Sequence, residues 1–119
     1  MAKKQLVSNS QIPKQKATTL TSKNTTPFII SFKYPLKKGY TFLELEKKHM
    51  KELQKFLDKI SNMTYQQVDE SFGRVPDKQD IYNGTKVYHY KVSKGFRIHG
   101  ILEGGRFKVI RLDPNHDLH

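Results

Sequence analysis

The sequence predicts an α+β fold: one strand, two helices, then a three-stranded antiparallel meander, with the helices packed on one sheet face. Three observations carry this. Apolar residues recur at helical spacing from Phe42 to Ile60, and a second helix signal follows Thr64. Residues 87–112 hold β-branched and aromatic runs with period-2 alternation. Gly104-Gly105 joins the last two of those runs as a two-residue hairpin turn.

Taken in order, residues 1–26 are rich in Lys, Ser, Thr, Gln and Asn, with scattered Leu6, Val7, Ile12 and Leu20. Such a stretch lacks the apolar content for a core, so it is expected to be a disordered basic arm, with the folded domain spanning 27–119. Pro27 and Pro35 bracket Phe28-Ile29-Ile30-Ser31-Phe32-Lys33-Tyr34, a strand pattern, and Lys37-Lys38-Gly39 reads as a turn. Thr41-Phe42-Leu43-Glu44 has the form of a capping box, in which the Thr hydroxyl and the Glu carboxylate satisfy each other's backbone N–H groups. It is expected to open a helix through about Ile60, with Phe42, Leu45, Met50, Leu53, Phe56, Leu57 and Ile60 on the apolar face. Lys47, Lys48, Lys51, Lys55 and Lys59 line the other face, which simple solvation explains better than RNA contact. His49 sits at the apolar edge, a boundary residue more than a ligand. Thr64-Tyr65-Gln66-Gln67 starts a short second helix that Gly73 ends, with Val68 and Phe72 toward the core. Residues 74–86 are polar and contain Pro76 and Asn83-Gly84, so they are expected to be a loop.

The glycine turn sets a register. Glu103 would face Arg106, Leu102 Phe107, Ile101 Lys108, His99 Ile110 and Arg97 Leu112. Alternation then sends Phe96, Ile98, Gly100, Leu102, Phe107 and Val109 to the helix-covered face. Arg97, His99, Ile101, Lys108, Ile110 and Leu112 share the open face. Arg111 falls on the core side, where it would reach past the sheet edge or pair with an acid such as Asp113. On the first meander strand, either Tyr88/Tyr90 or His89/Lys91 joins the open face, and the sequence does not decide which.

The formal net charge is +11, and it is unevenly placed. Residues 1–27 hold five Lys and no acid; residues 85–112 hold seven basic residues against Glu103 alone. Between them, residues 28–84 are nearly balanced, with ten basic and eight acidic side chains. This asymmetry favours a polyanionic partner, and nucleic acid over membrane, because no basic amphipathic helix with exposed aromatics stands out. No apolar run approaches the ~20 residues of a membrane span. No cysteine is present, and no hydrophobic segment follows the N-terminal lysines, which together fit a cytoplasmic protein.

The residue types narrow the chemistry. Cleaving RNA by internal attack requires a base for the 2′-hydroxyl, a cation for the phosphorane and an acid for the 5′-oxygen. Histidine serves either proton role near neutral pH, and arginine bonds two phosphate oxygens at once. This route requires neither metal nor cofactor. His116-Asp117-Leu118-His119 is a weak metal-ligand spacing, and no phosphate-binding loop, nucleophile elbow or paired-carboxylate motif occurs.

Over residues 28–119 the chain resembles the RelE/ParE toxin superfamily, whose members include ribosome-dependent mRNA endonucleases of toxin–antitoxin pairs. The resemblance rests on element order, the Lys- and Leu-dense helix Leu45 to Ile60, the Phe96-Arg97-Ile98-His99-Gly100 strand, and a closing strand that runs into Leu112-Asp113-Pro114-Asn115-His116. Arg97 matches the arginine of a Tyr-Arg-Ile/Val segment in relatives, and His116 their terminal histidine region. His99 has no assigned counterpart, and the basic N-terminal extension departs from the pattern. The resemblance implies an mRNA substrate, ribosomal RNA contacts and a cognate antitoxin. In that reading Arg97 stabilises transition-state charge, while His99 and His116 act as acid and base. Lys91, Lys94, Arg106, Lys108 and Arg111 would contact nucleic acid. The alternative is a non-catalytic nucleic-acid-binding, ribosome-binding or inhibitory module on the same fold.

Overall fold

The computed structural model describes residues 25–117; most of the basic arm, together with His119, lies outside the described residues. The fold is α+β. Its elements are β1 (Ile30–Ser31), a 3₁₀ turn (Phe42–Glu44), α1 (Lys47–Ile60), α2 (Tyr65–Phe72), β2 (Val75–Tyr82), β3 (Thr85–Lys91), β4 (Arg97–Glu103) and β5 (Arg106–Asp113). The sheet order is β1-β5-β4-β3-β2, with β1 parallel to β5 and every other pairing antiparallel.

Both capping boxes form, but they do different work. At Thr41 the box closes only one 3₁₀ turn, because Leu45 leaves helical geometry and is partly buried against the core. Glu46 starts α1 afresh, and its backbone N–H donates to His49 Nδ1 at 2.9 Å. His49 is therefore buried, with its ring edge-on to Phe96, and serves as a helix-start brace. The Thr64 box does open α2, and Gly73 closes it in the left-handed conformation at φ 58°.

The core lies between the helices and one sheet face. Leu53, Phe56, Ile60 and Val68 meet Tyr90, Phe96, Ile98, Phe107, Val109 and Leu112. Phe28 enters the same core, edge-on to Tyr65 and Tyr90. Thr26 already belongs to the fold, since its carbonyl accepts from the Tyr65 N–H at 3.0 Å.

Two differences from the sequence reading shape everything that follows. The stretch 74–86 contains a strand, so the meander has four strands, not three. Asn83 (φ 51°) and Gly84 (φ 72°) make its hairpin turn. β2 is an edge strand with Pro76 and a large bulge: between the pairs Pro76↔Tyr88 and Ile81↔Lys86, residues 77–80 stand opposite Val87 alone. The second difference lies in β5. The predicted pairs hold from Glu103↔Arg106 through Ile101↔Lys108, but then Gly100 pairs Val109 and His99 pairs Arg111. Ile110 is the extra residue. It reverses the alternation beyond it, so Leu112 enters the core and Arg111 turns to the open face, the opposite of the expectation for both.

Candidate functional site

The face away from the helices divides into two halves. Near the Gly104-Gly105 turn, Val87, Ile101 and Ile110 form a small apolar cluster under Tyr34 and Tyr82. Glu103 borders it, accepting from the Tyr34 hydroxyl at 2.6 Å and from Lys108 Nζ at 2.8 Å. Lys108, expected on RNA, thus has a protein anion as its partner.

Toward the other end, cross-strand pairing lays His89, His99 and Arg111 in one row over β3, β4 and β5. The bulge of β2 delivers Asp77 to this row. Its Oδ1 lies 2.5 Å from His89 Nδ1 and its Oδ2 lies 2.5 Å from His99 Nδ1. An ionised carboxylate only accepts, so each Nδ1 carries a proton and each Nε2 is left for other chemistry. Arg111 Nη2 donates to Asp80 Oδ2 at 2.5 Å and lies 3.5 Å from Asp77 Oδ2. Asp113 Oδ2 stands 3.6 Å from His99 Nε2. Asp77 and His99 are wholly buried, and His89 and Arg111 nearly so. Burial opposes ionisation of Asp77, but the hydrogen bonds and charge of His89 and His99 outweigh it and hold the carboxyl well below the usual carboxylate range.

His116 meets this row from outside. After buried Pro114 the chain turns back: Asp113 accepts from the Asp117 N–H at 2.8 Å, and His116 adopts a left-handed φ of 54°. The exposed His116 ring then lies 6.5 Å, centre to centre, from the His89 ring. Of the three residues expected to be catalytic, only His116 is exposed at the site. His99 is in the row but sealed from solvent. Arg97 is buried, and its Nη1 donates to the carbonyls of Ser93 (2.8 Å), Lys94 (3.0 Å) and Phe96 (3.3 Å). It braces the β3–β4 loop and has no open approach to a phosphate.

Lys91 and Lys94 are exposed at this end of the sheet, while Arg106 is exposed at the opposite end, by the glycine turn. Arg111 is a network residue, not a surface contact. Asp77, His89 and His99 also bring three possible metal-ligand atoms within 4.8 Å of one another. Arg111 Nη2 lies 3.4 Å from His99 Nδ1 and 3.5 Å from Asp77 Oδ2, two of those atoms. A fixed guanidinium charge so close opposes a cation, and both Nδ1 atoms already donate to the carboxylate. A hydrogen-bonded network accounts for the group.

The sequence left His89 undecided and missed Asp77 and Asp80. One signal for them was there: Asn-Gly between Ile81-Tyr82 and Thr85 is a strong hairpin signature. No helix among the described residues is long and apolar enough to cross a membrane. Compared with protein-family models, curated proteins and solved structures, the chain matches none.

Proposed function

We propose that this chain is a metal-independent mRNA endonuclease, the RelE-like toxin of a toxin–antitoxin pair, acting in the cytoplasm on ribosome-bound message. His89 and His116 take the proton-transfer roles. The observation that carries this reading is the Asp77–His89 hydrogen bond beneath His116. A carboxylate on Nδ1 holds an imidazole in one tautomer and stabilises its protonated form, which is what a general base needs.

In the proposed reaction one imidazole removes the 2′-hydroxyl proton, and O2′ attacks phosphorus. The P–O5′ bond breaks, and the second imidazole, as imidazolium, protonates O5′. A 2′,3′-cyclic phosphate and a 5′-hydroxyl result. Lys91, on the His89 face of β3, and Lys94 supply the positive charge in place of Arg97. His99 and Arg111 hold Asp77 in position.

A second reading, a non-catalytic RNA- or ribosome-binding module, also has an observation in its favour. Arg97, Lys108 and Arg111 all have protein partners, so exposed lysines alone would serve RNA affinity. Primer extension on a reporter mRNA after induction separates the two. Discrete breaks are expected with the natural chain, and a loss of at least a hundredfold in His89→Gln and in His116→Gln. Undiminished breaks in the folded double variant would sink the histidine assignment. Growth arrest without any breaks would favour the binding module.

A further inference from the structure

Away from the histidine row, the segment between β1 and α1 displays apolar side chains to water. Leu43 is 91% exposed, Phe32 45% and Phe42 42%. The Phe32 and Phe42 rings lie 5.6 Å apart, so the three residues make one patch. It is built, not frayed. The Thr41 hydroxyl accepts from the Leu43 N–H at 3.1 Å, and Glu44 Oε1 accepts from the Thr41 N–H at 2.6 Å. The capped turn holds Phe42 and Leu43 outward at fixed geometry. Beside it, β1 ends the sheet, with no strand beyond it among the described residues.

The surrounding charge is one-sided. Lys33, Lys37, Lys38, Lys47 and Lys48 are all exposed along residues 32–48. Glu44 and Glu46 are the only acids in that stretch, and the Glu44 carboxylate is engaged by Thr41. Rigid apolar anchors inside a basic rim match a ligand with apolar anchors inside an acidic rim.

From this we infer that the Phe32/Phe42/Leu43 patch docks an acidic amphipathic segment of another protein, its apolar residues on the patch and its carboxylates on the lysines. A polynucleotide would fit less well, since the most exposed member, Leu43, offers no aromatic face for a base. The inference does not depend on the catalytic reading, because the patch shares no residue with the histidine row.

Selection of displayed random peptides on the full-length chain tests it. Enriched sequences should combine acidic residues with two or more apolar anchors. A synthetic peptide of the enriched sequence should bind with a Kd that weakens as salt rises. Leu43→Asp should weaken that peptide at least tenfold with the thermal midpoint unchanged, Leu43 being almost fully exposed. Phe32→Ser should act in the same direction. Enriched peptides without acidic character, or binding indifferent to Leu43→Asp, would overturn the inference. So would photocrosslinks from single-stranded RNA to Phe32 or Phe42 that acidic peptide fails to displace. RNA cleavage by Leu43→Asp is a separate readout, so failure here stays distinguishable from failure of the nuclease reading.

Discussion

His99 lies on the face where alternation along β4 puts it, yet its ring is wholly buried, while His89, two strands' width from the C-terminal tail in sequence terms, ends beneath exposed His116. Identity and parity of a residue were legible in the sequence; its access to solvent was not, because that depends on what a neighbouring strand lays over it. Arg97 teaches the same lesson. Its side chain satisfies three carbonyls of the adjoining loop, a local need that residue type alone does not announce. Asp77 joins the two histidines, and its titration gives a prediction. Its folded pKa is depressed below the ordinary 3.8, so the stabilisation it contributes is present above about pH 4 and is lost as pH falls through the folded value. Asp77→Asn should therefore lower the thermal midpoint at pH 7, with a cost of about 3 kcal/mol for breaking a buried charged network. The gap between natural chain and variant should narrow steadily from pH 4 to pH 2. A gap of constant size across that range would show that the carboxylate's charge does not hold the row together.

At the scale of elements, the capping boxes, the Gly73 stop and the Gly104-Gly105 hairpin were all readable, because each rests on contacts within a few residues. The departures came from two bulges, which no local pattern encodes. The β2 bulge brings Asp77 and Asp80 inward, and the β5 bulge at Ile110 turns Arg111 toward them; without both, the row would lack its acids and its guanidinium. Gly100 sits beside the second bulge, opposite Val109. A Cβ there would overlap the backbone carbonyl of Lys108 and the Phe107 ring, so the two strands meet closely only because residue 100 has no side chain. Backbone on one side and a packed core ring on the other leave nothing able to yield cheaply. Gly100→Ala is expected to cost about 3 kcal/mol, read as a lowered denaturant midpoint at unchanged slope, and to loosen the His99–Arg111 register. A neutral midpoint would mean that β4 and β5 can separate there without penalty.

Over the whole molecule, the net charge of +11 is distributed against the site as much as toward it. The histidine row contains Asp77, Asp80 and Asp113 beside Arg97 and Arg111, so its buried centre carries little net positive charge. The lysines of α1 point away from the sheet, and the row lies on the opposite sheet face. RNA held over His89 and His116 would meet Lys91 and Lys94 first. Each phosphate neutralised on single-stranded RNA contributes about −0.7 to the slope of log affinity against log salt. Replacing Lys91 and Lys94 together by Ala should make that slope shallower by about 1.4, measured by fluorescence anisotropy with a labelled single-stranded RNA. Lys51→Ala with Lys55→Ala should leave the slope where it was, and so should Lys108→Ala, whose ammonium is held by Glu103. The reverse pattern, with the α1 lysines carrying the slope, would place RNA on the helical side and remove the histidine row from its path.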